Sequence, residues 1–246
     1  MPRYKLTIEY DGSGFLGWQA QPNGQTVQNV LEAAIELLHG EPLTLQAAGR
    51  TDTGVHALGQ VAHFDCPKVW DPFVLCNAIN GNVRPHAVSV LSAVEVSEEF
   101  QARFSAIGRR YLYRILNRRA PATIDRQKVW HVPKHLDVDA MHQAAQYLVG
   151  KHDFTTFRAA ECQAKSPVKT LTRLDVMRFD EMVEIRAEAR SFLHHQVRSM
   201  VGSLVQVGLG KWHPIDMRRA LEAKDRSKCG PVCPSDGLYL VEVLYP

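Results

Sequence analysis

Two hydrophobic periods alternate along this chain, and their alternation limits the fold more than any single residue does. Residues 3–10 place Tyr4, Leu6, Ile8 and Tyr10 on one face and Lys5, Thr7 and Glu9 on the other, the two-residue period of a half-buried strand. Asp11-Gly12-Ser13-Gly14 ends it. From Thr26 the period lengthens: Val27, Leu31, Ala34, Ile35 and Leu38 share a helical face, and Gly40 stands where a C-terminal cap belongs. Residues 43–48 read as a strand, 49–60 as a glycine-rich loop, and 61–64 as the start of another strand. A helix near 71–80 and a strand near 87–96 follow.

The second half repeats this order. A strand covers 109–116, with Tyr111 and Tyr113 on one face. Residues 117–137, with Pro121 and Pro133, read as an irregular connection. A helix is expected over 138–149, paired strands over 169–179 and 182–189 about Asp180-Glu181, helices over 192–209 and 215–223, and a last strand over 238–243. Such alternation with a hairpin indicates an α+β fold with antiparallel or mixed sheet. A length of 246 residues accommodates one large domain or two of about 100 to 150 residues.

Hydrophobic content of 45% with 22% charged residues is ordinary for a soluble globular chain. The N-terminus lacks the apolar run of a signal peptide, no stretch is apolar enough to span a bilayer, and a cytoplasmic location is expected. Cys66, Cys76, Cys162, Cys229 and Cys233 are odd in number and scattered, which fits reduced thiols better than a disulfide framework. The net charge of +3 does not by itself indicate nucleic acid, but its distribution does. Residues 101–130 hold Arg103, Arg109, Arg110, Arg114, Arg118, Arg119, Arg126 and Lys128 against one acid, Asp125. Charge gathered in this way suits a phosphate-binding surface.

Gly12-Ser13-Gly14-Phe15-Leu16-Gly17 matches the dinucleotide fingerprint and follows a strand. Its context is wrong, because the fingerprint's last glycine must open a helix, whereas Pro22 and Gly24 intervene here. The segment from Gly49 to Gln60 lacks the Lys-Ser/Thr ending of a P-loop. It offers an acid, Asp52, two residues from Arg50 and flanked by Gly49 and Gly54. An Asx-type turn explains that pattern as well as a reactive site does, and composition does not separate them. His194-His195, and His56 with His63, lack metal-ligand spacing, since adjacent histidines on a helix point about 100° apart.

The run Ala48-Gly49-Arg50-Thr51-Asp52-Thr53-Gly54-Val55-His56-Ala57 with Gly59-Gln60-Val61 resembles the signature of the tRNA pseudouridine synthase A family. Segments in the same order agree along most of the chain: Glu9-Tyr10-Asp11-Gly12 with Gly17-Trp18-Gln19, Ala102-Arg103-Phe104-Ser105-Ala106 with Arg109-Arg110-Tyr111-Leu112-Tyr113, and Gly150 with Asp153-Phe154 and Phe157-Arg158. Phe192-Leu193-His194-His195-Gln196-Val197-Arg198 with Val201-Gly202, and Gly237-Leu238-Tyr239-Leu240, complete the set. The resemblance implies two related ferredoxin-like α/β lobes, residues 1–105 and 106–246, joined around a central basic cleft. It also implies an isomerase that converts uridine to pseudouridine in the anticodon stem-loop of tRNA, at positions 38, 39 and 40. A homodimer gripping one tRNA, with no metal or organic cofactor, is expected.

By the same resemblance Asp52 is the catalytic residue, Tyr111 packs on the target base, and Arg198 lies near Asp52 as its ionic partner. Arg50, Arg109, Arg110 and Leu238 are further expected substrate contacts. The chemistry is compatible: the reaction breaks the N1–ribose bond and rejoins uracil through C5. A carboxylate can add to the ribose or abstract a ribose proton. No second acid is needed, because water is not the acceptor. Like charge disfavours a carboxylate beside RNA phosphates, and an adjacent arginine counters that. A stacked uridine must also be turned out at a cost of about a few kcal/mol, which stacking on Tyr111 offsets by about 1 to 3 kcal/mol.

Overall fold

The alternation of Tyr4, Leu6, Ile8 and Tyr10 becomes strand β1 (Arg3–Tyr10) in the computed structural model, which describes all 246 residues. Helix α1 (Val27–His39) follows, held at its start by Thr26, whose side chain accepts from the Asn29 amide, and stopped by Gly40 at φ 77°. Next come the short β2 (Gln46–Ala47), β3 (His56–Asp65), α2 (Pro72–Asn82) and β4 (Val88–Val96). Asp71 caps α2 and Pro72 supplies its first position, where a missing N–H costs nothing. The chain separates into two units, Met1–Ile107 with Tyr239–Pro246, and Gly108–Leu238.

In the first unit β1 is central, antiparallel to both β3 and β4. The C-terminal strand (Leu238–Leu244) runs parallel to β3, with Tyr239 opposite His56 and Leu240 opposite Ala57. This makes the sheet mixed. Tyr4, Leu6 and Ile8 are fully buried with Leu31 and Ile35 of α1 and Leu75 and Ile79 of α2. Each such side chain contributes about 1.5 to 3 kcal/mol. The sequence places everything after residue 105 in one lobe, whereas the last strand belongs to the first unit. Strand pairing between residues some 180 positions apart is decided by register, which local periodicity does not encode.

The second unit is an antiparallel sheet built from β5 (Gly108–Leu116), β7 (Gly150–Asp153), β8 (Val168–Phe179) and β9 (Met182–Ala189), in the order β5-β9-β8-β7. The two-residue β6 (Trp130–His131) runs parallel to the end of β5. Helix α3 (Val138–Gln146) packs on β8, and α4 (Gln196–Gly208) and α5 (Pro214–Ala223) pack against α3. The C-terminal strand, β10 in chain order, begins at Leu238. Both units therefore have the α+β organisation expected from the alternating periods.

Several bounds differ from the sequence expectation. The strand at 43–48 shrinks to two residues, and the expected loop at 49–60 turns into β3 by His56. Helix α3 ends at Gln146 because the amides of Tyr147, Leu148 and Val149 bond three residues back instead of four, tightening the chain into a turn. Helix α4 begins at Gln196 and not 192, because His195 adopts φ 59° and a left-handed residue cannot continue a right-handed helix. The Gln196 side chain then accepts from the Leu193 amide at 2.8 Å. Strand β7, unforeseen, pairs with β8 from Gly150 to Asp153.

Candidate active site

The loop carrying Asp52 is held from beneath by the segment that joins β1 to α1. The Trp18 amide donates to the Thr51 carbonyl at 3.0 Å, and the Gly54 amide reaches the Phe15 carbonyl at 3.4 Å. The Tyr10 hydroxyl and Thr51 Oγ1 share a hydrogen bond of 2.7 Å. At the loop's ends the Gln60 side chain donates to the Gly49 carbonyl at 2.8 Å, and the Ala48 amide to the Val61 carbonyl at 2.7 Å. The Val55 amide donates to the Asp52 carbonyl at 3.1 Å, closing a turn through Gly54 at φ 78°. Thr51 and Val55 are buried, Asp52 is half-buried and Thr53 is exposed, so Asp52 stands where packed chain meets solvent. Arg50, beside it in sequence, is exposed.

Two glycines permit this approach. A Cβ on Gly12 would lie 2.1 Å from the Val55 carbonyl oxygen, and one on Gly17 would lie 2.6 Å from that of Thr51. These glycines belong to the segment that mimics a dinucleotide fingerprint, and the structure gives them another task. The first amides of α1 are also engaged within the chain, Val27 by the Gly17 carbonyl (3.2 Å) and Gln28 by the Trp18 carbonyl (3.1 Å). A pyrophosphate would need such amides for itself.

In the second unit Tyr111 lies on β5, half-buried, with the Phe192 ring set edge-on at 5.2 Å and 88°. Small Ala187 is its cross-strand partner. Arg109 donates to the Arg190 carbonyl at 2.7 Å, and Arg110 pairs with Glu188 at 2.9 Å. The basic window is less one-sided than its sequence count, because β9 and its turn bring acids to it. Arg118 pairs with Glu181 at 2.9 Å, and Arg114 stands opposite Glu184 in the ladder. Such exposed pairs are each worth about 0 to 1 kcal/mol, so a phosphate can displace them.

Arg198, in the first turns of α4, donates from Nε to the Cys233 carbonyl at 3.0 Å. This ties α4 to residues 229–233, which approach so closely that a Cβ on Gly202 would lie 1.8 Å from the Pro231 oxygen. Burial pushes the Cys233 thiol up to about 12, and burial likewise raises the Tyr113 phenol well above its ordinary value. Neither group exchanges protons near neutral pH. Leu238 is buried at the start of β10.

Sequence reasoning assigned no role to Tyr10, Trp18, Thr51 or His56. Their motif positions were visible, but their partners lie up to 44 residues away. His56 Nδ1 accepts from the Gly12 amide at 3.0 Å and lies 3.2 Å from Asp11 Oδ1, and its ring stacks on Tyr239 at 4.7 Å. His194 and His195 do not diverge as helical neighbours would, because both precede α4 and their rings lie 4.0 Å apart. The five cysteines are free thiols, and no helix is long and apolar enough to cross a membrane.

A family profile described as tRNA pseudouridine synthase matches residues 6–105 and 144–246. A tRNA pseudouridine synthase A from Beijerinckia indica subsp. indica is 60% identical over 246 residues, which is all of this chain and 95% of that one. Those of Rhodopseudomonas palustris and Parvibaculum lavamentivorans are 61% and 59% identical over 245 residues, with 100% of each chain covered. A solved structure titled "Crystal Structure of a Cbf5-Nop10-Gar1 Complex" aligns with 82% of this chain and 45% of that one at 12% identity and a TM-score of 0.37. With the family profile spanning both units and full-length relatives near 60% identity, the chain belongs to the tRNA pseudouridine synthase A family and is an isomerase.

Proposed function

We propose that the protein isomerises uridines 38, 39 and 40 in the anticodon stem-loop of tRNA, with Asp52 as the catalytic residue. The observation that carries this reading is the Asp52 loop itself. It is a half-buried carboxylate on a loop anchored at Gly49, Thr51 and Gly54, the rigid mounting that a reacting group requires. The carboxylate serves either route open to it, addition to the ribose or removal of a ribose proton, while the N1 bond breaks and C5 takes its place.

Tyr111 stacks on the turned-out uracil, its ring fixed edge-on by Phe192. Arg198 and Arg50 offset the charge of Asp52 near the phosphates, and Arg109 and Arg110 contact the tRNA backbone. Leu238 lines the substrate site. The protein acts as a homodimer on one tRNA, which light scattering checks directly. To test the site of action, unmodified tRNA transcripts carrying uridine at 38, 39 and 40 are compared with transcripts carrying cytidine there. New pseudouridine in the first set and none in the second is the expected result, and modification of the second set would refute the assignment.

A further inference from the structure

Tyr10 sits at a place where the sheet is deliberately irregular. Ile8 pairs with Gln60 but Tyr10 pairs with Ala57, so β3 sets two residues, Leu58 and Gly59, against one of β1. Such a bulge turns the strand and re-aims the side chains beside it. Gly59 within it also lies against the C-terminal strand, where a Cβ would come 2.6 Å from the Val241 oxygen. Beyond the bulge Tyr10 is only 3% exposed, its ring 6.1 Å from that of Trp18, and its hydroxyl on Thr51 Oγ1. Thr51 is itself buried and precedes Asp52.

We propose that Tyr10 is a positioning residue for the isomerase reaction, its hydroxyl clamping Thr51 so that the Asp52 carboxylate is presented in one place. The inference rests on the reading of Asp52 as the catalytic residue. The backbone bond from Trp18 to the Thr51 carbonyl fixes one side of that peptide. The Tyr10 bond fixes the Thr51 side chain, so the chain entering Asp52 is gripped by two independent groups. Past Asp52 the loop is held by a longer bond, from the Gly54 amide to the Phe15 carbonyl at 3.4 Å. An apolar ring would fill the same space but leave Thr51 Oγ1 to seek another partner, and small displacements of a reacting group cost rate steeply.

The experiment measures single-turnover release of tritium from uridine C5 at saturating enzyme, with tRNA affinity measured in parallel and rates normalised to tRNA-binding-competent protein. Tyr10→Phe and Thr51→Val should each slow turnover about 10- to 100-fold while leaving the tRNA dissociation constant nearly unchanged. The double variant should be little slower than either single one, since both remove the same bond, and Thr51→Ser should restore most of the rate. Should Tyr10→Phe fail to fold, the contrast between Thr51→Val and Thr51→Ser carries the same test. Wild-type turnover in the phenylalanine and valine variants, or multiplying losses in the double variant, overturns the proposal. An active Asp52→Ala would instead overturn the assignment of Asp52.

Discussion

Tyr111 and Arg110 neighbour each other on β5, and their surroundings set what each can do. The Tyr111 ring packs on Phe192 and faces small Ala187, so its face, more than its hydroxyl, carries the proposed function. Tyr111→Phe should bind tRNA nearly normally and turn over within a few-fold of wild type, whereas Tyr111→Ala should lose the stacking of about 1 to 3 kcal/mol and turn over at least tenfold more slowly. Equal rates for the alanine variant and wild type would end the stacking role. Arg110 is held by Glu188, so phosphate binding there competes with a carboxylate. Glu188→Gln should raise tRNA affinity and steepen the logarithmic salt dependence by up to roughly 0.7 to 0.9. Unchanged slopes across a sodium chloride series would remove Arg110 from the phosphate contacts.

At the scale of elements, legibility follows whether the deciding partners are local. Helix α1 was readable because its start and stop signals, Thr26 and Gly40, adjoin it. The start of α4 was not, because it depends on the left-handed backbone at His195 and on Gln196 folding back onto Leu193. The Asp52 segment announced itself by composition and motif, but the Tyr10 bond that braces it spans 41 positions. Strand β3 offers a pH test of element packing. His63 is buried there and its Nδ1 accepts from the Ala102 amide at 3.2 Å. Burial, and then nearby Arg3, depress its basicity, while Asp65 opposes them. A folded value below the unfolded one, about 6.5, means full stability above that pH and progressive loss as pH falls through the folded value. Melting temperature should therefore decline as pH falls below about 6.5, before carboxylates begin to titrate. His63→Gln should flatten that decline, and an unaltered slope would contradict the account.

For the molecule as a whole, the α+β class and the concentration of positive charge were legible because each follows from periods and counts along the chain, whereas length left one domain or two open and the two lobes came only from the family resemblance. The sequence did not assign the last strand to the first unit, nor reveal that Glu181, Glu184 and Glu188 return to face the arginines, because both arise from pairing between distant segments. The central claim joins all three scales: a carboxylate at residue 52, held by its loop, in an enzyme that moves uracil from N1 to C5. Forming the C5 bond must expel the C5 hydrogen. The direct measurement is therefore tritium release from unmodified tRNA labelled at uridine C5, with wild-type protein and with Asp52→Asn at equal tRNA occupancy. The account predicts release of the label by wild type and none above background from the asparagine variant, and it is contradicted if wild type releases nothing or the variant releases label at a comparable rate.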